Sequence, residues 1–251
     1  MADQSEFPES QRDAIEAALQ ATGAAGVVAL IAQFGTIAER RALYGLARKV
    51  LLKQTPVSLD TIITVAQAAI ADLIAESAQQ ADADAANALK DGANIFSYNL
   101  SADLAPCWPG DDVVRETRHY EVGLAAAQDC LKWRHELHKG PWPFSIAWWA
   151  VGVHQLGLGN NAAAIEGFLQ SYHHAELVVA GSEADPNTDF GCLVAEGYLG
   201  LAEEAAGVVG GAERYAAAIA KFEAVAAGEP GEAVDDAKFG ISQLQTMKFR
   251  L

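Results

Sequence analysis

Six histidines and an excess of carboxylates are the groups in this sequence that could hold a metal or move a proton. His135 and His138 stand three residues apart in Trp133-Arg-His-Glu-Leu-His138. A zinc-protease helix sets two histidines four apart around a glutamate, so that both imidazoles face one ion. A spacing of three does not meet that geometry, and near a helix C-terminus such histidines have an ordinary role, because the dipole there favours imidazolium. Glu116 and His119 make one Glu-x-x-His pair. Di-iron bundles use two such pairs and two further carboxylates, and no second pair is present. His173 and His174 follow Tyr172 at the end of a helix and are expected in solvent. A helical metal-binding or enzymatic protein built on Glu116, His119, His135 and His138 is therefore the alternative reading. The main reading expects no metal, no cofactor and no enzyme activity.

Nucleophile and nucleotide motifs are missing: there is no Gly-x-Ser-x-Gly, no P-loop and no Gly-x-Gly-x-x-Gly between a strand and a helix. Cys107, Cys130 and Cys192 are too few and too scattered for a disulfide framework or a four-thiolate site. Cys130 falls on a helical apolar face, where a buried, inert thiol is expected. With 17 basic and 33 acidic residues the net charge is −16, which opposes binding to nucleic acid, since that needs cations to displace counterions. Apolar residues make up 51% of the chain and charged residues 20%, a balance that supports a packed core.

The elements that must position these groups are helical almost throughout. Before residue 17 the charges are Asp3, Glu6, Glu9, Asp13 and Glu16 against Arg12, the reverse of a signal-peptide start. The uncharged stretch 17–38 is long enough for a bilayer. Gln20, Thr22, Gln33 and Thr36 interrupt it, however, and Gly23, Gly26 and Gly35 weaken it as one helix. It reads as a buried helix pair turning near 23–26, in a cytoplasmic protein that does not enter a membrane. Ser10 with Asp13 resembles a capping box opening a helix with Ala14, Ala17, Ala18 and Ala21 on one face. Further helices are expected over 27–33, 36–52 and 82–104. Another is capped by Ser58 or Asp60 and carries Ile62, Ile63, Ala66, Ala69, Ile70, Leu73 and Ile74 toward a core. Two prolines and a glycine make 105–112 a loop.

The second half repeats itself, with breaks at Gly140-Pro-Trp-Pro143, at 181–186 and at 228–231. Around 147–168 the chain resembles a tetratricopeptide repeat. Trp148, Val151, Gly152, Gly159, Ala164 and Phe168 fill the family's places without insertion, and Ser171 takes the next small-residue place. Close packing explains the pattern, because Gly152 and Ala164 let two helices approach while Trp148 and Phe168 fill the space beside them. Leu199, Gly200, Ala218 and Phe222 form a second, degenerate copy with Glu196 in the tryptophan place and about six extra residues, assigned to a longer turn at 207–211. A weaker copy spans 82–137, and 233–244 reads as a capping helix.

The expected fold is therefore all-α: a right-handed solenoid of antiparallel helix pairs over 81–251, after an N-terminal helical region over 1–80. The resemblance implies a non-enzymatic scaffold that binds a partner segment in a concave groove, where the family pattern places Trp149, Val153 and Leu156. Lys and Arg are absent between Lys139 and Arg214, so the groove lacks the cationic clamp some members use for a C-terminal carboxylate. It would favour a basic or amphipathic segment. The apolar region 27–52 is a candidate homodimer surface.

Overall fold

Local backbone chemistry already divides the first helical stretch. The computed structural model describes residues 9–251, with side chains from Gln11 onwards. Helix α1 (Glu9–Ile31) is two helices joined at Gly23, whose φ of 67° and ψ of −153° suit glycine alone. The turn expected at 23–26 is this break. Ile15, Val27 and Ile31 are buried, whereas Ala14, Ala17 and Ala21 face out. The alanine face is thus not the core face, since turning Ile15 inward removes more apolar surface from water. The expected Ser10 cap lies outside the described side chains.

Helix α2 (Ile37–Leu51) opens with a full capping box. Thr36 Oγ1 accepts the Glu39 N–H at 3.2 Å, and the Glu39 carboxylate accepts the Thr36 N–H at 3.1 Å. Ser58, not Asp60, caps α3 (Leu59–Ser77), accepting the Thr61 N–H at 3.3 Å. Of the seven residues expected to face a core, Ile62, Ala66, Ala69 and Leu73 are buried in α3 together with Leu59 and Val65, while Ile63, Ile70 and Ile74 are half-buried. Helices α1, α2 and α3 all pack on one another, and Arg40 crosses from α2 to Asp72 of α3 at 2.7 Å. Helix α4 (Ala83–Leu104) follows. The chain divides within it into two compact units, Met1–Leu100 and Ser101–Leu251.

The second unit continues with α5 (Thr117–Glu136), α6 (Pro141–Gly157), α7 (Asn161–Ala180), α8 (Phe190–Ala205), α9 (Gly211–Ala226) and α10 (Glu232–Arg250). From α5 to α10 each helix packs on the next, and α6 also meets α8 while α8 meets α10. Alternate helices therefore form a row with α8 at its centre. The ten helices with no strand among the described residues make the fold all-α. The three breaks expected in this half fall where α6, α8 and α10 begin. Pro141 opens α6 in the first turn, where a missing N–H costs no hydrogen bond.

Two crossings are nearly backbone to backbone. A Cβ on Gly167 would lie 2.9 Å from Gly152 Cα, and one on Gly152 would lie 2.5 Å from the Phe168 ring. At the α8–α9 crossing, a Cβ on Gly200 would lie 2.5 Å from Tyr215 N. Val151, Ala164, Phe168, Leu199, Ala218 and Phe222 are all buried, and Gly159 takes φ 74° in the α6–α7 turn. Glu196, in the place of the tryptophan, pairs with Lys221 of α9 at 2.8 Å. The extra residues of this copy are placed differently from the expectation. The connection after α8 is 206–210 against 158–160 after α6, only two longer. The other four precede Ala218 as an added first turn of α9, because helix continues once Gly210 (φ 94°) has reversed the chain. On α10, Val234, Ala237, Gly240, Leu244 and Met247 are buried and Asp235, Asp236, Lys238 and Lys248 are exposed. That amphipathic division suits a final helix.

Candidate functional site

The residues expected to line an open groove are core. Trp149, Val153 and Leu156 are 6%, 0% and 4% exposed, which corrects their assignment to a partner-facing surface. Trp148, expected to be the wedge, is only half-buried. The reason is that α6 is covered on more than the side facing α7. Trp149 meets Tyr198 of α8 edge-on, with ring centroids 5.9 Å apart, and lies 5.9 Å from Trp108. Trp108 in turn stacks on Phe239 of α10 at 6.3 Å.

Trp108 belongs to the segment 105–115. It follows Ala105, Pro106 and Cys107, which are buried, and these four residues cover the side of α6 that faces α8 and α10, whereas 109, 110, 112 and 114 are exposed. Cys107 beside it is fully buried and accepts a hydrogen bond from Gln243 Nε2 at 3.5 Å. Arg115 closes the segment from within: its guanidinium donates to the carbonyls of Leu104 (3.3 Å) and Ala105 (3.1 Å) and to the Asp111 carboxylate. A cation at the C-terminal end of α4 meets carbonyls that lack partners in the helix, and the dipole adds to the attraction. Burial lifts the Cys107 thiol to about 11, so it carries no reactive thiolate at neutral pH. Burial, joined by Asp189, lifts Cys192 to about 12.

His154 is the buried histidine of this interior. Its Nε2 lies 2.9 Å from the Ser101 carbonyl and 3.0 Å from the Ser101 hydroxyl, while Nδ1 is buried without a partner. Burial pushes its pKa down to about 4, against the Ser101 hydrogen bond.

The histidines proposed for metal chemistry have structural tasks. His119 Nδ1 accepts the Glu116 N–H at 3.0 Å, the return half of a helix cap. His135 rests on Phe144 with ring centroids 4.5 Å apart. His138 sits past the end of α5 at φ 49°. Among the described residues, no three His, Cys, Asp or Glu side chains are arranged to hold a metal ion.

The outward side of α7 is among the accessible apolar surfaces. Leu169 and Leu177 are each 45% exposed. With Glu166, His173 and Glu176 they recur at three- and four-residue steps, on one helical face. This apolar pair is rimmed by carboxylates in a stretch, 140–213, that holds nine acidic residues and no Lys or Arg. The sequence shows the stripe as leucines eight apart on a helix already filled on its other side by Ala164, Phe168 and Ser171. Comparison with known protein families, with curated proteins and with solved structures finds no match to this chain.

Proposed function

We propose that this protein is a non-enzymatic interaction scaffold, a tetratricopeptide-like array of helix pairs that docks a basic amphipathic segment of another protein. Support for the array comes from the glycine-lined crossings of α6 with α7 and α8 with α9 and from the alternate-helix row. The docking surface of this reading is the outside of α7, because Trp149, Val153 and Leu156 are buried and 105–108 lies against Trp149. The observation that carries it is the half-exposed Leu169–Leu177 pair among carboxylates without a neighbouring cation in sequence. Apolar anchors supply affinity and the charged rim selects the partner's sign and speeds encounter.

A fluorescent amphipathic helical peptide of leucine and lysine tests it by anisotropy. Binding is expected, and replacing both Leu169 and Leu177 by Asp should weaken it by roughly tenfold or more. A glutamate version of the peptide should not bind. Equal affinity of wild type and the double variant would sink the proposal. The same acidic balance supports placing the protein away from nucleic acid, and its three buried free cysteines support a cytoplasmic location.

A second reading, self-association, rests on α1. The stretch Gln11–Ile31 is long and apolar enough to cross a membrane by length and composition, and only 17% of its most apolar part is buried. The region first assigned to a dimer contact is largely consumed, since Val27, Ile31, Leu43, Tyr44, Ala47, Val50 and Leu51 are core. The outer alanine face of α1 is what a second copy would cover. Light scattering showing a monomer at tens of micromolar would dismiss it.

A further inference from the structure

Three imidazoles meet at the edge where α5, α6 and α7 pack. His135, in the last turn of α5, lies against Phe144 in the first turn of α6. Phe144 also stacks on His174 of α7, centroids 5.2 Å apart and planes 23° from parallel. His174 meets His173 at 5.5 Å. Phe144 is 7% exposed, and His174 Nδ1 is buried without a hydrogen-bond partner.

The charged groups near this contact are of both signs: Arg134 and Glu136 flank His135, and Glu176 is two residues past His174. From α5 comes Arg134, buried, whose guanidinium donates to the Pro143 carbonyl next to Phe144. From α6 the stack receives only Phe144. The start of α8 lies close by, where a Cβ on Gly191 would be 3.6 Å from Ala175. The carboxylate there, Asp189, is engaged in capping, accepting the Cys192 N–H at 2.9 Å. The charges bearing on His174 are those of His173 and His135.

We propose that the contact of His174 with Phe144, beside His135 and His173, is a pH-sensitive latch, closed while His174 is neutral and released when it takes up a proton. Neutral imidazole stacks on Phe144 as an aromatic ring. A protonated His174 would carry N–H on a buried Nδ1 with no acceptor. Burial, then His173 and His135, hold the His174 pKa below its ordinary value. An opened edge returns it toward about 6.5, so the open form binds more protons, and opening grows as pH falls below that value. The latch does not depend on the docking role proposed for α7.

Hydrogen exchange of the whole protein, corrected for the intrinsic rate, tests this at pH 7.5 and 5.5. Protection over 141–148 and 170–180 should fall on acidification by about threefold or more beyond the change in α9 and α10, which reports overall stability. His174→Phe keeps the stack and cannot titrate, so its loss over these segments should only match that of α9 and α10. A wild-type loss no larger than that of α9 and α10, or an equal excess loss in His174→Phe, would overturn the latch. If that variant fails to fold, His135→Gln combined with His173→Gln decides. The acid-induced loss should then shrink, and a loss as large as in wild type counts against the proposal.

Discussion

At position 154 an imidazole is sealed from water, with one nitrogen on Ser101 and the other without a partner. The sign of its effect on stability follows from where protons bind. Unfolded, this histidine takes a proton near 6.5, and folded it does not until about 4. Between those values the unfolded chain holds more protons, so stability is complete above about 6.5 and declines as pH falls toward 4. The full difference is about 3 kcal/mol. Urea unfolding at pH 7 and pH 4.5 measures it. His154→Gln keeps a donor toward the Ser101 carbonyl and does not titrate, so its stability should vary much less over that range. Arg115 makes a second prediction at this scale. Replacing it with Met takes this donor from the carbonyls of Asp103, Leu104, Ala105 and Val113 and from the Asp111 carboxylate, and stability should fall by about 3 kcal/mol or more. Retention of wild-type stability would show that the segment 105–115 is held by Trp108 and Cys107 alone.

Among the helices, what could be read in advance was what is local. Ser58 before a periodic run and Gly23 in an apolar stretch each act within four residues, and each sits where the sequence puts it. The Gly152–Phe168 and Gly200–Phe222 patterns were legible because a crossing this close accepts only small residues. Which of two adjacent tryptophans faces inward was not local. Trp149 is core because Trp108, from a loop 41 positions earlier, and Tyr198, 49 positions later, cover it. One signal did point there: α6 has no charged residue from Pro141 to Gly157, and a helix apolar all round is covered all round. The crossings themselves are testable. Gly200→Ala puts a Cβ 2.5 Å from the backbone N of Tyr215, where no side chain can yield, and should cost about 1–3 kcal/mol by forcing the helices apart. Gly35→Ala meets nothing within 4 Å and should change stability by about 0.5 kcal/mol or less. Thermal unfolding of the pair separates a packing requirement from glycine loss in general.

Across the whole molecule a net charge of −16 acts on folding and on partner choice in opposite directions. Carboxylates outnumber cations by about two to one, so compaction works against self-repulsion, and added salt relieves it. The midpoint of thermal unfolding should therefore rise between 20 mM and 300 mM NaCl, as the screening length shrinks from roughly 20 Å to below 8 Å. Binding of the leucine–lysine peptide to α7 should weaken over the same change, because the attraction between Glu166, Glu176 and the peptide's lysines is screened too. Salt that stabilises the fold while loosening the complex is a combination that a purely apolar contact does not produce. Peptide affinity that holds steady while the midpoint climbs would confine the carboxylates to solubility and leave Leu169 and Leu177 without a charge-selected partner.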